Sequence, residues 1–229
     1  MSPACRVIGH RGWPARFPGN SLAGFVAAIP HVDGFELDVR RSRDGKLVLA
    51  HDPDIGPHTV AGTDWSVLAE IDLGDGHRPA LLDEALTSLP GIPIQIEIKN
   101  DPTQPGHEPD HRLGLEAAER ARPGDVLTSF NWATVARVRR EFPDVATGII
   151  LTPYHDVANA FEHCLEVGHR LMAPEKSLVK ESVGSMIEQV QITPWTVNDL
   201  ESATELVRLG VSGIITDEPM KLSPIRSQR

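Results

Sequence analysis

A chain of 229 residues, 40% hydrophobic and 24% charged, has the apolar content of a globular protein and is long enough for one large domain. With 22 basic and 32 acidic side chains the formal charge is −10, which argues against nucleic acid or an anionic membrane as the main partner. No apolar run reaches the ~18 residues of a membrane span, and residues 1–6 lack a basic start followed by an apolar stretch, so a cytoplasmic protein without stable membrane association is expected.

Taken in order, residues 6–10 read as a short buried strand that ends in His-Arg-Gly. Pro14, Pro18 and Gly19 make a loop, after which Asn20 or Ser21 caps a helix through Ile29, with Leu22, Phe25, Val26 and Ile29 on one face. Residues 34–39 form the next strand. Its alternation puts Glu36 and Asp38 on one face and Phe35, Leu37 and Val39 on the other. Arg43-Asp44-Gly45-Lys46 is a hairpin turn signal, and the antiparallel return over 47–50 delivers His51 beside Glu36 and Asp38. Residues 53–79 are rich in Gly, Pro, Asp and His, with one helical piece at 65–71, and read as an insertion over the site. A helix at 81–89 follows.

From residue 92 onward, strand and helix alternate. Strands are expected at 92–99, 126–130, 147–151, 171–173, 191–197 and 213–216, with helices at 110–121, 132–141, 156–167, 177–189 and 199–209. In the first of these strands Gln95, Glu97 and Lys99 oppose Ile94, Ile96 and Ile98. The polar end 221–229 reads as frayed. Without the hairpin return the parallel strands number eight, which predicts a (β/α)8 TIM barrel over residues 1–229 with 53–79 as a small insertion over its mouth. A doubly wound sheet is the alternative, but it does not explain polar residues crowding the ends of three strands together.

Buried strands rarely carry carboxylates unless these are paired or bind a cation. Three carboxylates, Glu36, Asp38 and Glu97, converging in a barrel mouth raise one another's pKa unless a cation sits among them. An all-oxygen set of that kind suits Mg2+ or Ca2+ better than Zn2+. Arg11 and Lys99 supply local positive charge for a phosphate that the overall field repels. Cys5 and Cys164 form no CxxC and read as two free thiols of a reducing compartment.

An ordered set of motifs runs through the chain: His10-Arg11-Gly12, Pro18-x-Asn20-Ser21, Glu36-Leu37-Asp38-Val39, Arg43-Asp44-Gly45-Lys46, His51-Asp52, Glu97-Ile98-Lys99, Ser129-Phe130, Trp195-Thr196-Val197-Asn198 and Gly213 through Asp217-x-Pro219. On these residues the sequence resembles the glycerophosphodiester phosphodiesterase family. The resemblance implies a (β/α)8 barrel that hydrolyses small-molecule glycerophosphodiesters to glycerol 3-phosphate and an alcohol, a step of lipid and glycerol metabolism. It implies that His10 and His51 are the acid–base pair, that Glu36, Asp38 and Glu97 hold a divalent cation, and that Arg11 and Lys99 contact phosphate. One departure is plain: Gly19 stands where the family usually has glutamate before its first helix.

The nucleophile is water or a substrate hydroxyl that first closes a cyclic phosphate. Two other functions compete: a phospholipase-like barrel that acts on a lipid phosphodiester with a cyclic product, and a barrel that binds a phosphorylated ligand without turning it over. Other residues read as follows. Asp52 orients His51 or starts the turn before Pro53; Asn20 is a cap or a site residue; Trp195 lines the substrate pocket or packs in the core, with the core favoured; Asp217 caps the turn before Pro219. His107, His111, His163 and His169 read as surface residues. The sequence sets no oligomeric state and no alcohol head group.

Overall fold

The alternation of side chains along the strands sorts them to the two sides of a rolled parallel sheet. In the computed structural model, which describes residues 5–228, the parallel strands among the described residues number eight. They are β1 (Arg6–His10), β2 (Gly34–Arg41), β3 (Ile94–Ile98), β4 (Val126–Ser129), β5 (Ala146–Leu151), β6 (Leu171–Pro174), β7 (Gln191–Ile192) and β8 (Gly213–Thr216). Their hydrogen-bonded order is β7-β6-β5-β4-β3-β2-β1-β8. Ser212 N donates to Ile192 O at 2.8 Å and Ile215 N to Pro194 O at 3.0 Å, drawing the last two edges together into a nearly closed barrel. The (β/α)8 reading of the sequence therefore holds.

Strand parity decides what is packed where. Val7, Phe35, Leu37, Val39, Ile94 and Ile96 face outward and are fully buried with the helices in the main core. Each contributes roughly 1.5–3 kcal/mol by leaving water. A smaller cluster of Ile8, Ile150, Leu171, Ala173 and Ile215 fills the inside of the barrel on the β5–β8 side. On the β1–β3 side the inward positions are polar: His10 pairs in register with Glu36, and Asp38 with Glu97.

Helices follow most strands, at Leu22–Ala28, Leu82–Ser88, Arg112–Ala118, Trp132–Glu141, Val157–Val167 and Leu200–Arg208. Ser21 caps the first, its hydroxyl accepting from Gly24 N at 3.2 Å. Its inner face is Phe25 and Ala28, whereas Val26, expected inside, is 51% exposed. The helix expected at 177–189 does not form. Two 3-10 pieces, Lys176–Leu178 and Glu181–Ser185, take its place. Ser177, Ser182, Gly184 and Ser185 favour turns, and Lys176 N is already committed to Trp195 O at 2.9 Å. Strand β7 is likewise shorter than expected. The stretch expected to be frayed is helical instead, with an α-helix at Pro219–Leu222 and a 3-10 piece at Ser223–Gln228: Leu222 and Ile225 are buried, and Arg226 Nε lies 3.1 Å from Asp33 Oδ1. Residues 1–4, where no leader was expected, and Arg229 lie outside the described residues.

The hairpin after β2 matches its turn signal. Leu47–Leu49 returns antiparallel, with Val39 opposite Leu49, and Gly45 takes the φ of +82° that the turn needs. Segment 53–79 then forms a short two-stranded piece (Asp54–Ile55 with His58–Thr59) and a helix, Trp65–Leu68. Ile55, Val60 and Leu68 pack under Val48 and Ala50 as a satellite apolar cluster.

Candidate active site

The ends of β1, β2 and β3 bring the site together. Asp38 is the centre of its charge pattern: fully buried, with Lys99 Nζ 2.9 Å from Oδ1 and Arg11 Nε 3.0 Å from Oδ2. Asn20 Nδ2 also donates to Oδ2 at 2.8 Å, and Asn20 Oδ1 accepts from Asp38 N at 3.3 Å. Asn20 is thus a site residue, and the cap role falls to Ser21. Burial works against the charge of Asp38, but Lys99 and Arg11 outweigh it and hold the carboxyl well below its usual range.

Arg11 and Asn20 both adopt left-handed backbone, φ +52° and +63°, and Asn20 N closes the loop on Arg11 O at 2.9 Å. Such conformations cost of order 1–3 kcal/mol and persist where the surroundings fix them. Here they aim the guanidinium and the amide at one carboxylate. Gly19, next to them, has open space: an added Cβ would meet only Arg11 Cβ and Cδ, both at 3.5 Å, and Pro14.

Glu97 lies 2.5 Å from Lys99 Nζ through Oε1. Burial nevertheless pushes it up to about 7, with Asp38 adding to the shift. Glu36 is pushed well above its ordinary value by burial and by Asp38 and Glu97. Its Oε1 is buried with no hydrogen-bond partner among the described residues. One ligand oxygen from each of Glu36, Asp38 and Glu97 can be chosen so that all lie within 4.8 Å of one another. Three buried carboxylates with an unpartnered oxygen aimed among them fit a divalent cation held by oxygen ligands.

Both histidines border this group. His10, with 15% of its side chain exposed, has Nδ1 2.7 Å from Asp217 Oδ1 and Nε2 3.8 Å from Glu36 Oε2. Asp217 is fixed in turn by Asn198, whose Nδ2 donates to Oδ2 at 2.8 Å. Asp217 is therefore not the turn cap expected from sequence. Partial burial opposes its charge, but the bonds from His10 and Asn198 hold its carboxyl below the usual value.

His51 reaches the mouth because Ala50 N bonds Asp38 O at 3.1 Å at the end of the hairpin. Arg40 fixes the next carbonyl, donating to His51 O from Nε at 3.0 Å and Nη2 at 2.8 Å. The His51 ring meets Asp52 Oδ1 at 2.8 Å through Nδ1, so Asp52 orients it. Burial, then Lys99, lowers the His51 pKa, and the neutral ring prevails at pH 7.

These residues share a cavity of about 130 Å3 lined by His10, Arg11, Glu36, His51, Glu97 and Lys99, with Trp195 and Ile215 on its apolar side. Of the two places open to Trp195, pocket wall and core, it takes the wall, and its Nε1 donates to Ala173 O at 2.8 Å. Of the four histidines expected at the surface, none is fully exposed. His169 is buried against Thr147 Oγ1 at 2.8 Å, His163 stacks on Trp132 at 5.1 Å, and His111 bonds Thr134 Oγ1 at 3.0 Å. His107 is partly buried as well.

A parallel barrel with two carboxylate-backed imidazoles, two partly buried basic side chains and three clustered carboxylates at the C-terminal strand ends is an arrangement suited to phosphoryl chemistry. Comparison with known proteins narrows the class. The profile described as "Glycerophosphoryl diester phosphodiesterase family" matches residues 10–221, and the chain belongs to that family. A glycerophosphodiester phosphodiesterase of Caldanaerobacter subterraneus subsp. tengcongensis is 28% identical over 94% of this chain and 95% of its own. The crystal structure of a Thermotoga maritima glycerophosphodiester phosphodiesterase superposes with a TM-score of 0.80 at 26% identity, covering 97% of this chain and 98% of that one. An Oleispira antarctica phosphodiesterase, solved in complex with its product sn-glycerol-3-phosphate, shares the fold with a TM-score of 0.83 at 20% identity, covering 97% of this chain and 96% of that one. As a member of this family the chain is a phosphoric diester hydrolase that cleaves glycerophosphodiesters to glycerol 3-phosphate and an alcohol.

Proposed function

We propose that hydrolysis here depends on a divalent cation and on proton exchange by His10 and His51. The observation that carries this reading is the meeting of both imidazoles with Glu36 and Glu97 in one small cavity, with a ligand oxygen of Asp38 within 4.8 Å of theirs. Glu36, Asp38 and Glu97 would hold Mg2+ or Ca2+, in keeping with their all-oxygen donor set. A bound cation supplies Lewis-acid polarisation of the phosphoryl oxygens. Arg11 and Lys99 receive the phosphate and offset its charge as the phosphorus becomes five-coordinate. One imidazole takes a proton from the attacking oxygen, which is water or a neighbouring glycerol hydroxyl. The other gives a proton to the departing alkoxide, so no free alkoxide is released.

The same reading treats residues 1–229 as one barrel domain with 53–79 as an insertion over the mouth. Pro53, Asp54 and Ile55 line the cavities on the His51 side, in support of that arrangement. No helix among the described residues is long and apolar enough to cross a membrane, and Cys5 and Cys164 are free, buried thiols. The proposed setting is the cytoplasm, without stable membrane association.

The test is kinetic. His10→Ala and His51→Ala should each lower kcat/KM on a glycerophosphodiester by roughly 10²–10⁴-fold, and Arg11→Ala should act mainly on KM. Wild-type turnover by either histidine variant would remove that residue from the chemistry.

A further inference from the structure

Inward parity on β2 continues past the two carboxylates. Glu36 and Asp38 are followed by Arg40, which is 5% exposed and has no part in the chemistry proposed above. Burying a guanidinium is costly unless its donors are satisfied. Here they are spent on uncharged oxygens: Nε and Nη2 on His51 O at 3.0 and 2.8 Å, and Nη2 also on Gln104 Oε1 at 2.6 Å. The carboxylates of Asp38, Glu97, Asp52 and Asp101 offset its charge from farther away.

The hairpin does not depend on these bonds. Arg41 pairs with Leu47, Arg40 with Val48 and Val39 with Leu49, and Ala50 N closes the ladder on Asp38 O at 3.1 Å. His51 stands one residue past that rung. Its ring is held at Nδ1 by Asp52 Oδ1, 2.8 Å away, but Asp52 is the next residue in the chain, 76% exposed, and travels with it. Asp52 therefore sets the tautomer and the turn of the ring, and not its distance from the barrel. A side chain rooted in β2 sets that distance.

We infer that Arg40 is the positioning residue for His51, fixing its backbone to the barrel so that the imidazole keeps its place in the cavity it shares with Glu97 and Lys99. Gln104 completes the arrangement from the loop after β3. Its own N donates to Asp101 O at 3.1 Å, and Asp101 Oδ1 accepts from Thr103 N at 2.8 Å, so the amide that receives Nη2 sits on a braced turn. The role calls for a fork rather than a charge: two donors on one edge of the guanidinium meet one carbonyl, whereas lysine presents a point charge. It rests on the acid–base part proposed for His51.

The experiment is a double-mutant cycle on a glycerophosphodiester, with folding checked by circular dichroism. Arg40→Met should lower kcat by about 10–100-fold with KM within about threefold, the scale of a catalytic group displaced by an ångström. Arg40→Lys should stay within about threefold of Arg40→Met, because the charge returns without the fork. Gln104→Ala should lower kcat by about three- to tenfold, the worth of one hydrogen bond. In the residual turnover of His51→Ala, Arg40→Met and Gln104→Ala should each cost less than about twofold. A route through the substrate, the carboxylates or general stability persists when the His51 ring is gone. Equal losses in the two backgrounds would therefore overturn the inference and leave the hydrolase reading standing, as would full rescue by lysine. If Arg40→Met does not fold, the Gln104→Ala cycle decides alone. Wild-type turnover by His51→Ala would instead overturn the acid–base reading, and this inference with it.

Discussion

His10 Nδ1 lies 2.7 Å from Asp217 Oδ1, a contact that joins the end of the first barrel strand to the end of the eighth across 207 positions of sequence. The carboxylate selects the tautomer with the proton on Nδ1 and turns Nε2 toward Glu36. On the proposed acid–base role of His10, Asp217 would act through it as a positioning residue. Asp217→Asn should lower kcat by about 10²-fold, within the range of general acid–base effects, with KM nearly unchanged. The pH–rate profile should move as well, because the substitution removes the Asp217 charge from beside the ring. An unshifted profile with a rate near wild type would leave Asp217 a structural role only.

The cost of three clustered carboxylates should be visible in stability. Burial and mutual repulsion raise the Glu36 pKa, and that of Glu97 to about 7, so above pH 4.5 the metal-free fold binds more protons than the unfolded chain. Metal-free stability is then highest at acid pH with respect to these groups and falls as pH rises from about 4.5 toward 7. Glu36→Gln relieves one charge and should raise the metal-free Tm at pH 7.5 by several degrees, about 1–3 kcal/mol at 2–4 °C per kcal/mol. Millimolar Mg2+ or Ca2+ should raise the wild-type Tm and leave the variant nearly unmoved. Scanning fluorimetry with and without EDTA measures both effects, and an equal metal response in the two proteins would contradict ligation by Glu36.

His169 gives a pH effect of a different origin. Burial, then His163 and Arg139, lowers its pKa from 6.5 to about 4. The unfolded chain takes up the proton first, so stability is complete above pH 6.5 and is lost as pH falls toward 4. The difference corresponds to about 3 kcal/mol at 1.36 kcal/mol per pKa unit. Urea unfolding at pH 7 and pH 4.5 should show a smaller loss for His169→Gln than for wild type. Identical losses would mean that His169 does not titrate this way.

Burial also pushes the thiols of Cys5 and Cys164 up to about 12. Neither should react with a disulfide reagent at pH 8 in the folded state, whereas both should react promptly in denaturant. Rapid modification of the native protein would indicate local opening at one of these sites.

How far the sequence discloses this site depends on the range of each contact. Glu36 and Asp38 are visible because strand parity is a local rule, and His51 because an Asp-Gly turn fixes where the hairpin returns. Glu97 and Lys99 follow from the same parity on the neighbouring strand. Asp217 escapes because its partner, His10, is brought near only when the barrel closes, and the same closure, which sets Trp195 against Ala173, decides between the two places the sequence leaves open to Trp195. The rule that barrel chemistry gathers at strand C-terminal ends applies to Thr216-Asp217 as much as to His10, and it is the signal that could have found Asp217. Asn20 is ambiguous locally, since both it and Ser21 can cap a helix. The left-handed backbone that turns it toward Asp38 is set by the loop as a whole. Segment 177–189 misleads for the opposite reason: Val179 and Val183 keep a helical spacing, but Ser and Gly between them and the tie of Lys176 to Trp195 favour 3-10 turns.

31P NMR of a glycerophosphodiester incubated with the protein tests most directly whether these strand-end residues form one cation-dependent diesterase. With Mg2+ or Ca2+ the diester resonance should give way to that of glycerol 3-phosphate, directly or through a cyclic phosphate. No conversion should occur with EDTA or with His10→Ala. Persistence of the diester under every cation with well-folded protein, or full conversion in EDTA, would contradict the account.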